Sequence, residues 1–354
     1  MRAPELPARG GAAGPLESMP LVTAVVCTWN RAHLVGRALA SIRAQSVTDV
    51  EILVVDDGST DETPEVLASL AAPPVRILRH AANAGIGRAR NTALAHALGK
   101  WVAFLDDDNE WMPRYLERQL ALARAHPAAG VVYCRARRLD SRTGQKTVLP
   151  PAVWSGRVFD RLVAGWLPLM SATLLRRAVL ADVGGLDEAL CAMEDEDLWL
   201  RLARRTDFAG TADALVIRHE HAGPQLSRNA ALLARDAARL DEKWRTTIRA
   251  ACGEVAYRRW RTFLGTRAAF AEIVGAVDRG ERLRGCRSLG RLARYLPWSL
   301  PVIARALAVL VLGLSASSRL RLLGAMLRAR VRDGLRGRPS ASSKAGRAGM
   351  RRLG

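Results

Sequence analysis

The sequence predicts an α/β fold in which a parallel β-sheet lies between layers of helices. Strand-like apolar runs alternate with helical patterns four times in about 100 residues, and this alternation is typical of parallel sheets with helices on both faces. Three of the four predicted strands end in polar clusters. Ligands of such sheets bind beyond the carboxyl ends of the strands, so the clusters predict a site at one sheet edge.

The first two units of this alternation begin with β-branched strands. Residues 22–28 (VTAVVCT) form the first predicted strand, and the helix after it carries apolar residues four positions apart between residues 34 and 42. The second strand covers residues 50–55 (VEILVV). A helix follows near Pro64, because proline and acidic residues favour the first turn of a helix.

The third and fourth units repeat the pattern. Residues 75–78 (VRIL) form a short third strand, and the loop 83–87 leads into a helix over residues 88–98. The fourth strand, residues 101–105 (WVAFL), ends in three consecutive aspartates, and Pro113 starts the next helix. An apolar run of this length predicts a buried strand, and charge at its end predicts the edge of a site.

The polar clusters at the strand ends are Thr28-Trp29-Asn30, Asp56-Asp57 and Asp106-Asp107-Asp108. Turn and cap chemistry accounts for one such cluster, but not for three at the same edge. Three neighbouring carboxylates repel one another, and a chain tolerates them where water or a cation screens the charges. A functional site is therefore predicted, with a solvated acidic loop as the alternative for the aspartates.

A dinucleotide-binding fold is the main competitor. It requires the G-x-G-x-x-G pattern directly after the first strand, where this chain has Thr28 to Arg31 without a glycine. The pattern from Gly85 to Arg90 has arginine in place of the third glycine and lies in the third unit. A Walker A loop is absent. The sequence therefore argues against a nicotinamide-dependent enzyme.

The formal net charge of +20 is concentrated in the last third of the chain. Residues 231–354 hold 27 Lys and Arg against 8 Asp and Glu, whereas residues 1–230 hold 27 against 26. The two parts therefore need separate interpretation. The 5 cysteines are scattered without a Cys-x-x-Cys pair, which argues against a disulfide framework or a zinc site and favours a reducing compartment.

The motifs of the first two thirds of the chain resemble those of family 2 glycosyltransferases with the GT-A fold. The similar stretches are residues 25–31 (VVCTWNR), 54–61 (VVDDGSTD), 83–91 (NAGIGRARN), 104–108 (FLDDD), 183–188 (VGGLDE), 194–202 (EDEDLWLRL) and 219–221 (HEH). Each motif alone is weak, but the ordered set is specific and covers about residues 20–225. The resemblance implies a Rossmann-like mixed sheet sandwiched by helices, and sugar transfer from a nucleotide donor.

The resemblance implies a divalent cation, Mg²⁺ or Mn²⁺, at a D-x-D motif. Such a cation neutralises charge on the departing diphosphate, and both metals accept carboxylate ligands. Asp108 is the implied metal ligand and Asp106 the first member of the motif, and either Asp106 or Asp107 would contact the ribose. The alignment of the D-x-D motif stays open, because it can also be placed on Asp107-Asp108-Asn109.

The resemblance also implies a nucleotide pocket at the same edge. Asp57 would accept a hydrogen bond from the base ring, with a turn residue before Ser59 as its alternative role. Arg90 would approach the diphosphate, with an exposed helical arginine as the alternative. The other implied pocket residues are Cys27, Thr28, Asn30, Arg31, Asn83 and Gly85.

The implied general base lies in the acidic pair Glu194-Asp195, with Asp195 preferred. Proton abstraction needs a carboxylate within hydrogen-bond reach of the acceptor hydroxyl, and a base that is not a nucleophile gives inversion at the anomeric carbon. The alternative is that the two residues only complement the helix dipole, because acidic residues favour the first turn of a helix. His221, or His219, is the implied histidine near the metal and the diphosphate, with an ordinary structural histidine as its alternative.

Residues 231–354 lie outside the family motifs and predict helices, the first over about residues 230–252. Trp298–Leu314 is the transmembrane candidate, but it contains Arg305 and spans roughly 25 Å, short of the ~30 Å bilayer core. A buried or interfacial helix is therefore favoured. Arginines interleaved with leucines over residues 319–332 predict a basic amphipathic surface for anionic lipid, with a solvated helical face as the alternative.

The predicted organisation is a disordered leader (1–19), a GT-A domain (20–228), a helical basic C-terminal region (229–335) and a disordered tail (336–354). The predicted function is inverting transfer of a sugar from a UDP- or dTDP-sugar to a saccharide or lipid-linked acceptor. The predicted location is peripheral, on the cytoplasmic face of the membrane. A non-catalytic scaffold on a transferase fold and a nucleic-acid-binding protein are the alternatives, but scarce lysine and few aromatics favour an anionic membrane over nucleic acid.

Overall fold

The computed structural model describes residues 19–140, 146–150, 152–220, 226, 229–293 and 306–307. The strands within these ranges are β1 (Val22–Thr28), β2 (Val50–Asp56), β3 (Val75–Arg79), β4 (Trp101–Phe104), β5 (Asn109–Trp111), β6 (Ala129–Asp140), β7 (Lys146–Leu149), β8 (Thr173–Arg176) and β9 (Asp207–Glu220). The α-helices are α1 (Ala32–Arg43), α2 (Thr63–Ser69), α3 (Ile86–His96), α4 (Tyr115–Ala125), α5 (Phe159–Val163), α6 (Arg177–Asp182), α7 (Glu194–Ala203), α8 (Ala230–Asp278) and α9 (Arg282–Ala293).

The described strands form one sheet in the order β3-β2-β1-β4-β8-β6-β9-β5, with β7 paired to β6. β1 is parallel to β2 and β4, and β2 is parallel to β3, as the alternation predicts. The second half mixes directions, since β8 is antiparallel to β4 and β6, and β9 is parallel to β6. This mixed sheet confirms the α/β fold class that the resemblance implied.

The strands of the parallel half send alternate side chains to opposite faces of the sheet. Val25 and Phe104 are buried in one apolar cluster, whereas Val26 and Ala103 are buried in another. The first cluster also takes residues from α3, α7 and α8, and the second takes residues from α1, α2 and α4. Burial on both faces explains why these strands are nearly continuous apolar runs in the sequence.

The strand order places the carboxyl end of β1 between those of β2 and β4. The Asp57 N–H donates to the Thr28 carbonyl over 2.9 Å, and the Leu105 N–H donates to the Val25 carbonyl over 2.8 Å. The chain order reverses at β1, since β2 and β3 lie on one side of it and β4 on the other. Ligands of open α/β sheets bind at such a point, so the topology brings the three polar clusters to one crevice.

Helix α8 begins the C-terminal region and packs on the first apolar cluster. Leu240 and Trp260 are buried in that cluster. The helix predicted over residues 230–252 ends at Gly253, whose φ of 84° and ψ of 168° divide α8 into two halves. Residues of α8, which follow the predicted boundary at residue 228, therefore share an apolar cluster with the sheet.

Several predictions fall on residues outside the described ranges. They concern the leader up to residue 18, His221, Trp298–Leu314 apart from residues 306–307, the amphipathic stretch 319–332 and the tail 336–354. Within the described ranges, no helix combines the length and the apolar character needed to cross a membrane.

Candidate active site

The carboxyl ends of β1 and β4 are joined by the side chains of Thr28, Arg31 and Asp107. The Thr28 hydroxyl donates to Asp107 Oδ2 over 2.8 Å, and Arg31 Nη1 donates to Asp107 Oδ1 over 3.4 Å. The same nitrogen lies 3.1 Å from Asp108 Oδ2. Burial raises the pKa of Asp107 to about 7, against the opposing charge of Arg31. Both oxygens of Asp107 are thus engaged by the protein itself.

Asp106 and Asp108 flank the buried Asp107 and are more accessible. The side chain of Asp106 is 31% exposed and that of Asp108 is 16% exposed. Asp106 Oδ2 accepts from the Ser171 hydroxyl over 2.7 Å and from Asn109 Nδ2 over 3.1 Å. These two partners orient Asp106 from the antiparallel half of the sheet.

Arg90 on α3 links the aspartate cluster to the start of α7. Its guanidinium donates to Asp106 Oδ1 over 2.9 Å and to Glu194 Oε1 over 2.7 Å. Its guanidinium carbon also lies 5.7 Å from the centroid of the Phe104 ring. Burial opposes the charge, but Glu194 and Asp106 outweigh it and raise the pKa of Arg90. Arg90 is therefore a buried bridge and not an exposed helical arginine.

Glu194 and Asp195 begin α7, whose first turn is acidic as the sequence predicts. Burial raises the pKa of Glu194 to about 7, against the opposing charge of Arg90. Asp195 is partly buried, and burial raises its pKa while Arg267 and Arg90 lower it. Both groups therefore change charge closer to neutral pH than ordinary surface carboxylates do.

Asp57 anchors the loop between β3 and α3. Its Oδ1 accepts from the Ala84 N–H over 2.9 Å and lies 2.7 Å from His80 Nδ1. Its Oδ2 accepts from the Gly85 N–H over 2.8 Å. Asp57 thus shapes the wall of the crevice by fixing this loop, and much of its hydrogen-bonding capacity is used within the protein.

The turn after β2 is held against the turn after β1. Asp56 Oδ1 accepts from the Ser59 N–H over 2.9 Å, so Asp56 caps this turn. The Ser59 hydroxyl accepts from the Asn30 N–H over 2.9 Å. Gly58 has a φ of 72°, and a Cβ on it would lie 2.4 Å from the Ala82 carbonyl carbon. Glycine is therefore required here for both its conformation and its lack of a side chain.

The remaining predicted residues differ in their placement. Cys27 packs against the first apolar cluster, where burial raises the pKa of its thiol to about 12. Asn83 is exposed in the β3–α3 loop. His219 lies on β9 with its Nε2 2.5 Å from Glu110 Oε1. His221 lies outside the described residues.

Trp29 and Asn109 belong to the predicted polar cluster and the alternative alignment without a role of their own, whereas Ser171 and Arg267 were not predicted. Trp29 is 49% exposed after β1, and its aromatic type within the first motif was an available signal. Ser171 comes from a segment without a readable motif, and Arg267 comes from α8, beyond all of the motifs. The spacing of motifs in the sequence does not predict that Ser171 and Arg267 lie near the site.

Comparisons with known proteins identify related sequences. The model described as Glycosyl transferase family 2 matches residues 23–182, and this part of the chain belongs to that family. Over 110 residues the chain is 40% identical to the succinoglycan biosynthesis protein ExoO of Rhizobium meliloti, covering 31% of this chain and 32% of that protein. Over 195 residues it is 27% identical to the putative colanic acid biosynthesis glycosyl transferase WcaA of Escherichia coli, covering 53% and 67%. The chain thus spans about a third of the first relative's length and about two thirds of the second's.

Solved structures have the same fold. TarS of S. aureus in complex with UDP-GlcNAc has a TM-score of 0.53 at 17% identity, covering 81% of this chain and 90% of that chain. The mannosyltransferase PcManGT of Pyrobaculum calidifontis in complex with GDP-Man and Mn²⁺ has a TM-score of 0.51 at 23% identity, covering 89% and 82%. The predicted GT-A fold and the family resemblance are therefore confirmed.

Proposed function

We propose that this chain is an inverting glycosyltransferase that moves a sugar from a nucleotide-diphosphate donor to a saccharide or lipid-linked acceptor. The observation that carries the proposal is the position of Arg90, whose guanidinium contacts Asp106 and Glu194 at once. A single arginine side chain therefore connects an aspartate of the D-x-D motif to the acidic start of α7. Donor binding and proton abstraction could take place in a single crevice.

A divalent cation fits the residues at the end of β4. Asp106 and Asp108 supply partly exposed carboxylate oxygens, which suit Mg²⁺ and Mn²⁺. Among the residues that the structure describes, no three His, Cys, Asp or Glu side chains already converge as a metal site. Two carboxylate ligands would leave coordination positions of such a cation for phosphate and water. The bound cation would supply positive charge at the diphosphate.

The burial of Asp107 supports one register of the motif. The side chain of Asp107 is 10% exposed, whereas those of Asp106 and Asp108 are 31% and 16% exposed. We assign Asp108 as the metal ligand and Asp106 as the first member of the D-x-D motif. Asp107 would then hold β1 and β4 together instead of contacting the ribose.

Asp195 is the proposed general base. It is more exposed than Glu194, whose Oε1 accepts from Arg90. A carboxylate with a raised pKa is suited to accept a proton from an acceptor hydroxyl within hydrogen-bond reach. Attack by that hydroxyl on the donor, without a covalent sugar–enzyme intermediate, inverts the anomeric configuration.

The donor nucleotide would lie along the ends of β1 and β2. Trp29 offers a half-exposed indole there, and nucleobases stack on such aromatic surfaces. Thr28 and Asn30 belong to the same edge, and Asp57 fixes the loop that closes it. The half-exposed indole and the fixed loop support a nucleoside pocket at this edge.

The relatives support the class of donor and acceptor. The structures of TarS and PcManGT hold UDP-GlcNAc and GDP-Man, and ExoO and WcaA are named for the biosynthesis of succinoglycan and colanic acid. We propose a UDP- or dTDP-sugar donor and an envelope saccharide or lipid-linked acceptor at the cytoplasmic face of the membrane. The basic amphipathic stretch 319–332, outside the described residues, motivates the peripheral contact with anionic lipid.

A thermal-shift screen tests the proposed function. A ligand that binds only the native state raises the unfolding temperature, so the chain is mixed with UDP-, dTDP- and GDP-sugars in the presence of Mn²⁺ or Mg²⁺. We expect at least one UDP- or dTDP-sugar to raise it, and the same donor to be hydrolysed slowly. No shift with any donor would contradict the proposed function, and a shift that survives EDTA would contradict the metal.

A further inference from the structure

The second half of α8 brings a cation against the acidic start of α7. Arg267 forms an ion pair with Glu196, whose side chain is buried. The kink at Gly253 separates this half of the helix from the first half. Arg267 lies beyond residues 23–182, so a residue outside the family match reaches the candidate active site.

The first half of α8 holds the same acidic segment by other contacts. Trp244 Nε1 donates to Asp197 Oδ1 over 2.8 Å. Asp236 Oδ2 accepts from the N–H groups of Cys191 and Ala192, each over 2.7 Å. Helix α8 therefore fixes both the loop that enters α7 and the first turn of α7.

The first turn of α7 holds four consecutive acidic residues. Glu194 pairs with Arg90, Glu196 pairs with Arg267, and Asp197 pairs with both Arg201 and Lys243. The fourth residue is Asp195, the candidate base. Asp195 therefore lies between two glutamates whose charges are balanced by Arg90 and Arg267.

The charged groups that act on Asp195 come from three other elements. Arg267 of α8 and Arg90 of α3 favour its ionised form, whereas burial and Asp106 at the end of β4 oppose it. Arg90 already contacts two other carboxylates directly. Arg267 favours the ionised form of Asp195 more than Arg90 does. Removal of Arg267 would also leave the neighbouring Glu196 without this ion pair.

We propose that Arg267 is a positioning residue for sugar transfer, which pairs with Glu196 and through its charge keeps the adjacent Asp195 carboxylate ionised. The proposal rests on the proposed function only in naming Asp195 as the base. A purely structural ion pair would hold α8 against α7 without acting on Asp195. The two roles predict different titration behaviour.

Four proteins separate the two roles: the full chain, Arg267→Gln, Glu196→Gln and the double variant. The double variant replaces the ion pair by two neutral amides, which avoids a buried unpaired charge and so preserves the fold. Arg258→Gln, an exposed residue on the same half of α8, is the matched control. The titration midpoint of the Asp195 carboxyl group is followed by ¹³C NMR without donor, and its signal is identified by its loss in Asp195→Asn.

We expect the Asp195 midpoint to rise by about one pH unit in Arg267→Gln relative to the wild type. We expect a similar rise in the double variant relative to Glu196→Gln, and no change in Arg258→Gln. If Arg267→Gln does not fold, the comparison of the double variant with Glu196→Gln tests the proposal by itself. If the Asp195 midpoint is the same within each pair of folded proteins, the proposal is overturned, and the ion pair of Arg267 with Glu196 is purely structural.

Turnover provides a second readout. The acid limb of kcat against pH should move upward with the Asp195 midpoint in Arg267→Gln, so that kcat below the limb falls about tenfold while KM for the donor is unchanged. The NMR titration needs no donor. A wild-type chain that transfers no sugar would therefore contradict the proposed function, whereas the titration would still decide the role of Arg267.

Discussion

Arg90 and Glu194 form a buried ion pair with 2.7 Å between Nη1 and Oε1, although 104 positions separate them in the chain. Their side chains are 7% and 9% exposed. The other arm of the same guanidinium donates to Asp106 over 2.9 Å. One arginine therefore holds the candidate donor edge and the candidate base segment in a fixed relation.

Replacement of Arg90 should lower the stability of the chain. Removing one partner of a buried ion pair costs on the order of 3–5 kcal/mol, so we expect a loss of about this size in the free energy of unfolding of Arg90→Ala. Arg90→Lys should lose less but should still reduce turnover, because an ammonium group lacks the planar fork that bridges two carboxylates. Urea denaturation and donor hydrolysis measure the two effects. Arg88→Lys, on the exposed face of α3, is the control. If it loses as much stability and turnover as Arg90→Lys, the bridging role of Arg90 is contradicted.

Asp108→Asn should abolish cation-dependent turnover while leaving the fold intact. The amide keeps the shape of the side chain but loses the charge that attracts a divalent cation. We expect donor hydrolysis in Mn²⁺ to fall by roughly 10²-fold or more, as for the loss of other charge-stabilising groups. Circular dichroism checks the fold, and Asp160→Asn on the exposed surface of α5 is the control. A near-normal rate in Asp108→Asn would rule out the metal assignment.

Asp195→Asn should retain donor binding and lose sugar transfer. The amide cannot accept the proton of the acceptor hydroxyl, and general base catalysis typically contributes about 10²–10⁴-fold. Calorimetric titration with the donor measures binding, and product formation measures transfer. Asp213→Asn, exposed on β9, should change neither quantity. Loss of donor binding in Asp195→Asn would place this residue in the donor pocket instead.

Asp107→Asn should change the pH dependence of stability. Burial raises the pKa of Asp107 to about 7 from an ordinary value of 3.8, so the native state binds this proton more tightly than the unfolded state. The wild type therefore loses stability as pH rises from about 4 to 7, by about 1.4 kcal/mol for each unit of pKa shift. The amide does not titrate, so the variant should gain stability relative to the wild type across this window. Urea unfolding at several pH values measures the difference, and a constant difference would contradict the burial effect.

Gly58→Ala should destabilise the chain more than Gly156→Ala. Both glycines have a positive φ, 72° and 83°, which costs an alanine roughly 1–2 kcal/mol. A Cβ on Gly58 would also lie 2.4 Å from the Ala82 carbonyl carbon, whereas a Cβ on Gly156 would meet nothing within 4 Å. The difference in the free energy of unfolding between the two variants therefore isolates the steric term. Equal losses would show that the turn after β2 can move away from Ala82.

The elements from β1 to α4, apart from the short strand β5, agree closely with the sequence patterns. The strands β1, β2 and β4 are buried on both faces and the helices are amphipathic, so each of these elements carries its own local periodicity. The antiparallel half was not predicted element by element. β6 and β9 pair along most of their length with register shifts, and these contacts join segments far apart in the chain. Hydrophobic spacing within one segment does not specify such a partner.

The sequence by itself determined the fold class, the family and the sheet edge that carries the candidate site. These follow from local patterns, because three of the motifs lie at the carboxyl ends of β1, β2 and β4, which meet at that edge. Only the tertiary structure separated the three adjacent aspartates, since Asp107 is buried against Thr28 and Arg31 while its neighbours are more exposed. Only the tertiary structure brought Arg90 and Arg267 to the start of α7. The charge state of a carboxylate depends on its burial and on cations from distant segments, and neither is encoded in the spacing of a motif.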